Sequence, residues 1–353
     1  MLSRDEYLKL PLEQRFIPLD EAKAARANRL FDDLPTVDLH THIFGSLHFS
    51  FDYNQVRQIG VTGLFEAVPA VSEDFDESMR LLGTYKNLVA HQSGLISATR
   101  AEDIRRAKRA GKQAVLFQLE PQTVGRDPNR IDVAYGLGIR MMLMTFNTKN
   151  YLGDGCSERT DCGLSYLGIE VVRRLNELGV LIDLSHCGIQ TSLDTCKHST
   201  APVLFNHTGA RALNPPCKRL KTDEQIRAVA DTGGLIGICA IPNQLSRNPE
   251  QGVEDMLNHF EHVAKLVGID HVAIGLDNVF GDQVAHHRQM AATNIVNLER
   301  SGIVLAADYM YGIESPLEWR NIVRGLVSRG FSDEEITKIV SGNALRVIEQ
   351  VVG

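Results

Sequence analysis

No two of the six cysteines form a C-x-x-C pair. That removes the usual zinc-ribbon and redox motifs, and a chain this long needs no disulfide staples, so most of Cys156, Cys162, Cys187, Cys196, Cys217 and Cys239 read as free thiols in or near the core. No apolar run reaches the length of a membrane span, and charges interrupt the first ten residues where a secretory signal would need an apolar core. A cytoplasmic protein with no membrane partner is expected. A basic stripe is missing as well: 37 Lys and Arg stand against 44 Asp and Glu, a formal charge of −7, which excludes the electrostatic footprint of a nucleic-acid binder. The glycine-rich phosphate turn of a doubly wound nucleotide-binding sheet is also absent, because Val37-Asp38-Leu39 runs into His40-Thr41-His42.

What is present is an ordinary globular composition, 43% hydrophobic and 23% charged over 353 residues, enough for one large barrel or two domains. Eight short apolar runs recur: Thr36–His40, Val61–Ala67, Gln113–Leu119, Ile139–Thr145, Val180–Leu184, Pro202–Phe205, Gly234–Cys239 and Val272–Leu276. Most are too continuously apolar to be half-exposed antiparallel strands and suit buried parallel ones. Helical patterns lie between them, as at Ala101–Gly111, Leu167–Leu178 and Gln251–Val267, each ending near a glycine. Eight strands alternating with helices over roughly 240 residues match the size of a closed barrel. The expected fold is therefore α/β, a (β/α)8 TIM barrel. Two or three additional C-terminal helices follow from about His286, with Ser332 as an N-cap. With no repeat or low-complexity linker, residues 1–353 read as a single domain.

In such a barrel the active site lies at the C-terminal strand ends. The first metal-binding strand, in residues 35–46, ends in His40 and His42, whose i, i+2 spacing puts both imidazoles on one face. The third expected strand delivers Glu120 to an apolar mouth, where an unpaired charge is costly and a cation would answer it. The fifth and sixth end in His186 and His207, and the eighth in Asp277, a carboxylate suited to proton transfer. Four imidazoles and a carboxylate exceed what one catalytic zinc needs, so two ions are expected. His40 and His42 would hold one, His186 and His207 the other, and Glu120 would bridge them. A bridging hydroxide would attack a carbonyl carbon. Cys187, Lys149, His259, His262, His286 and His287 are left outside the site, the last four as surface residues.

These residues resemble the renal or membrane dipeptidase family, metallopeptidase family M19 of the amidohydrolase-like barrels. The likeness rests on Asp38-Leu39-His40, Leu137-Gly138-Ile139-Arg140, Leu152-Gly153-Asp154-Gly155-Cys156, Gly163-Leu164-Ser165, the run Leu178 to His186, His207 with Ala210-Arg211-Ala212-Leu213, and Gly342 to Val347. It implies a zinc-dependent hydrolase of a dipeptide or related small amide, with Glu120 bridging, His186 and His207 on the second ion, Asp277 assisting proton transfer and Arg219 gripping the substrate carboxylate. A small-molecule substrate and a possible homodimer are the partners implied. Two residues depart from the family. His42 stands where an aspartate is usual, and nitrogen ligation favours zinc. Phe146 occupies the substrate-binding position of a polarising histidine. These leave two alternatives open: action on a non-peptide amide, lactone or biosynthetic intermediate, or a metal-binding pseudoenzyme.

Overall fold

A computed structural model describes residues 2–44, 51–68, 75–120, 124–293 and 295–353. Gly45 and Ser46, at the end of the first motif, lie outside the described residues. The strands are β1 (Val37–Thr41), β2 (Gly63–Val68), β3 (Leu95–Ser97), β4 (Gln113–Leu119), β5 (Ile139–Leu143), β6 (Leu181–Asp183), β7 (Val203–Thr208), β8 (Leu235–Ile238) and β9 (Val272–Ile274). Eight of them run parallel in the order β1-β2-β4-β5-β6-β7-β8-β9. The two ends of that path meet: Asp277 N donates to His40 O at 3.1 Å and Leu276 N to Asp38 Oδ1 at 3.0 Å. The expected (β/α)8 barrel is present. The short β3 pairs with β4 off the barrel path; three residues that go from buried to exposed leave no apolar run in the sequence.

Helices cover the outside, and their ends follow local chemistry. Tyr166–Leu178 starts at Ser165, whose side chain accepts from Gly168 N, and stops at Gly179, which takes the left-handed φ of 69° that a residue with a Cβ resists. Its Val171, Val172 and Leu175 face the barrel. Inside, Gln118, Asp183 and Asn206 meet near the barrel mouth, and Leu116, Leu181 and Leu204, two residues earlier on the same faces, pack in one apolar cluster with Leu39, Ala273 and Leu345. A Cβ on Gly237 or on Gly275 would run into the carbonyl oxygen of Asn206. Both glycines thus let β8 and β9 close tightly behind the site.

The chain after the barrel is more broken than two or three helices. Helices Gln283–Ala292, Leu298–Ser301 and Arg320–Ser328 are separated by turns, with Gly302 and Gly312 at positive φ, and Asp333–Thr337 runs on through a π-helical segment, Lys338–Gly342, into Asn343–Val351. Ser332 does cap its helix, in a capping box with Glu335. Among the described residues no helix is long and apolar enough to cross a membrane.

Candidate metal centre

Every strand-end residue singled out in the sequence lies at the C-terminal mouth. His186 and His207 make the tightest contact, with Nε2 atoms 3.0 Å apart. His186 Nδ1 lies 2.8 Å from Asn147 Oδ1, and His207 Nδ1 bonds Asn206 Oδ1. Both amide oxygens accept further donors, Cys156 Sγ at 3.4 Å and Ser185 Oγ at 2.8 Å, so each Nδ1 carries the proton and each Nε2 presents a bare lone pair. Burial, together with Arg219 and the other site cations, holds both imidazoles well below their ordinary pKa, hence neutral. Two lone pairs pointing at each other at 3.0 Å repel unless a cation sits between or beside them. The donor set fits a metal.

His40 packs against His207, ring centroids 3.9 Å apart and planes tilted by 35°, and its Nε2 lies 3.3 Å from His42 Nε2. Asp277 joins the two groups: Oδ1 is 3.2 Å from His42 Nε2 and 3.4 Å from His40 Nε2, and Oδ2 is 3.7 Å from His207 Nε2. His40, His207 and Asp277 each bring a ligand atom within 4.8 Å of the others, a trio that crosses the two ligand pairs expected from the sequence. Burial pushes His40 down to about 4. It acts downward on His42 too, but the hydrogen bond and charge of Asp277, with Glu66 and Glu120 behind, outweigh it and leave His42 raised. For Asp277 burial acts upward, and the His42 hydrogen bond with the charges of His40, His42 and Arg219 overrides it, holding the carboxyl at about 2. Asp277 also has φ 55°, a left-handed conformation that costs roughly 1 kcal/mol for a residue with a Cβ and recurs at functional sites.

Glu120 directly follows β4. Burial raises its carboxyl to about 8, with Asp183 and Asp277 adding to the rise while His42 and Arg219 oppose it. An ion at the mouth would reverse that balance. Arg219 is 2% exposed and lies in the loop after β7. Its Nη1 donates to Ser185 O and its Nη2 to His207 O at 3.3 Å, so two of its donors tie the ends of β6 and β7 together. Phe146 is half-buried and stacks on His186, centroids 4.2 Å apart and planes 19° apart. Lys149 pairs with Asp154 at 3.0 Å, and Cys187 is buried in the core.

Sequence reasoning missed the residues behind the candidate ligands. Asn147 and Asn206 set two tautomers, Gln118 Oε1 lies 3.3 Å from His40 Nδ1, and Asp183 Oδ1 accepts from Ser185 N and Asn206 N, each at 3.0 Å. The available signal was a polar residue inside an otherwise apolar strand, at Gln118, Asp183 and Asn206. His259 is also corrected: it is 1% exposed, not at the surface, accepting from Ala210 N at 2.9 Å and donating to Leu245 O at 3.0 Å. It belongs to the inward face of its helix with Met256 and Val263. His287 is likewise buried.

The sequence profile described as "Membrane dipeptidase (Peptidase family M19)" matches residues 20–287, a span that includes every site residue above. A dipeptidase, tcpJ, of Claviceps purpurea is 28% identical over 258 residues, covering 72% of this chain and 55% of that protein. The chain thus spans about half the length of that relative. Among solved structures, an amidohydrolase of Pseudomonas aeruginosa superposes with a TM-score of 0.82 at 26% identity, covering 93% of this chain and 99% of the other. A probable dipeptidase of the same organism, at 21% identity and TM-score 0.79 over 94% and 99% of the two chains, shares the fold. The protein belongs to the membrane dipeptidase family, peptidase family M19, whose members indicate a metal-dependent hydrolase.

Proposed function

We propose that the protein hydrolyses the amide bond of a dipeptide or closely related small amide, with two zinc ions held by His40, His42, Glu120, His186, His207 and Asp277. The observation that carries this reading is the pair of bare, neutral Nε2 atoms of His186 and His207 at 3.0 Å, whose mutual repulsion a cation between or beside them would relieve. A nitrogen-rich donor set favours zinc over magnesium or calcium. When bound, the ions supply Lewis acidity that polarises a carbonyl and makes water a nucleophile near neutral pH.

The chain's own residues do the rest. Asp277, ionised and touching the imidazoles from β1 and β7, takes the proton of the attacking water at a carboxylate oxygen and returns it to the departing amine. Asn147 and Asn206 hold two imidazoles in the ligand tautomer. Arg219, with Nε and further N–H groups beyond those given to Ser185 O and His207 O, offers the substrate carboxylate a charge-assisted bond. Phe146 forms an apolar wall over His186. The likeness to a dipeptidase in Claviceps purpurea supports the substrate class.

A panel of L,L and L,D dipeptides given to zinc-loaded protein tests the reading. Turnover of at least one dipeptide, strongly reduced in Asp277→Asn, is the expected result. The apolar ring of Phe146 on His186 favours one second reading, a less polar amide or lactone. Turnover of such compounds and of no dipeptide would replace the first reading with the second.

A further inference from the structure

Glu66, on β2, is fully buried and takes no part in the ligand cluster. Its carboxylate accepts three hydrogen bonds from residues on both sides of His42. Thr41 Oγ1 donates to Oε2 at 3.0 Å, Ile43 N to Oε2 at 2.8 Å and Phe44 N to Oε1 at 3.1 Å. β1 ends at Thr41, so His42 is the first residue past the ladder, and its backbone is not held by strand pairing. The Glu66 bracket supplies what the ladder no longer does. It fixes Thr41 before His42 and Ile43 and Phe44 after it, and so the direction in which the imidazole leaves the chain.

The three donors are two backbone N–H groups and a hydroxyl, none of them charged. A buried carboxylate with only neutral donors is costly to keep charged unless a cation lies close by. The nearest functional cation position is the one His42 faces, with His42 Nε2 directed at His40 Nε2 and Asp277 Oδ1.

We infer that Glu66 is a positioning residue for His42, aiming its imidazole at the metal centre through Thr41, Ile43 and Phe44 and placing a negative charge behind that side of the site. This rests on the metal-binding reading above. Glutamine at this position keeps the volume of Glu66, but its NH2 group would face one of the N–H donors and the charge would be gone. Its effect should fall on the ion held at the His40–His42 side and spare the one at His186 and His207, 21 residues apart on β6 and β7 ends.

The test is a Co2+ titration of the full chain after chelator stripping, followed by the d–d absorption of each equivalent, for wild type, Glu66→Gln and Thr41→Val. Two equivalents are expected in wild type. In Glu66→Gln, affinity for one should fall tenfold or more with a changed visible band, and the other equivalent should keep its affinity and spectrum. Thr41→Val keeps the charge and removes one donor, so it should shift the same equivalent in the same direction by a few-fold. Unchanged affinity and spectrum in Glu66→Gln, even with a lowered melting temperature, would overturn the inference and leave Glu66 a packing residue. If Glu66→Gln does not fold, an unchanged Co2+ titration of Thr41→Val overturns it. Less than one equivalent in wild type would overturn the metal-binding reading and this role with it.

Discussion

At the residue scale, Asp277 carries the most specific role. Its carboxyl stays ionised because the hydrogen bond from His42 and the surrounding positive charge outweigh burial. Asp277→Asn keeps the shape and removes the proton acceptor. Turnover of the best dipeptide should fall by about 10²–10³-fold in kcat with KM changed little, read from steady-state kinetics beside zinc content. Asn147 acts through His186. Asn147→Ala frees the Nδ1 proton of His186 from its 2.8 Å acceptor, so the imidazole can turn and present the wrong tautomer. Zinc affinity should drop by roughly 10–100-fold, measurable by competition with a chromophoric chelator. The candidate site residues His40, His42, His186, His207 and Asp277 were legible in the sequence because they end apolar runs. Asn147, Asn206 and Glu66 were not, since an amide or carboxylate behind a ligand has no spacing rule and shows its purpose only when distant strands are brought together.

At the scale of elements, the barrel closes through a side chain as much as through a ladder. Asp38 on β1 accepts from His40 N at 3.2 Å, from Leu276 N at 3.0 Å and from Trp319 Nε1 at 3.1 Å, so β1, the end of β9 and the C-terminal segment share one carboxylate. Trp319→Phe leaves Asp38 Oδ2 unpartnered in a fully buried position and should cost about 1–3 kcal/mol of unfolding free energy by denaturant titration. The N-terminal arm docks in a related way. Glu314 is paired with Arg4, and burial raises its carboxyl to about 7 despite that charge. Because the folded value lies above the unfolded one, the folded state prefers protonated Glu314. That contribution is fully present below about pH 4.3 and is lost as pH rises through 7. Glu314→Gln, which cannot ionise, should therefore gain in melting temperature relative to wild type between pH 5 and pH 8. A constant difference across that range would contradict the sign. Strand positions were readable from continuous apolar runs, seven of the eight starting within one residue of the observed start and the other within two. The arm and the broken C-terminal region were not. Their elements are short, and what holds them is pairing between Arg4, Tyr7, Arg15 and a segment some 300 residues away.

At the scale of the whole molecule, the mouth gathers four imidazoles and three carboxylates, Glu120, Asp183 and Asp277, beside Arg219. Asp183 and Glu120 are pushed up by burial to about 6 and about 8, while His40, His186 and His207 are pushed down. Metal removal should destabilise the chain: at an ion concentration 1,000 times Kd, binding adds about 4 kcal/mol per site. Thermal unfolding with and without a chelator, and recovery on adding zinc back, measures it.

The claim on which the rest depends is that this mouth is a two-ion centre. Zinc content per chain after equilibrium dialysis, for wild type beside a His186→Ala, His207→Ala double variant, tests it most directly. About two equivalents in wild type falling to about one in the variant is the expected result. Less than one equivalent in wild type, or the same content in both proteins, would contradict it.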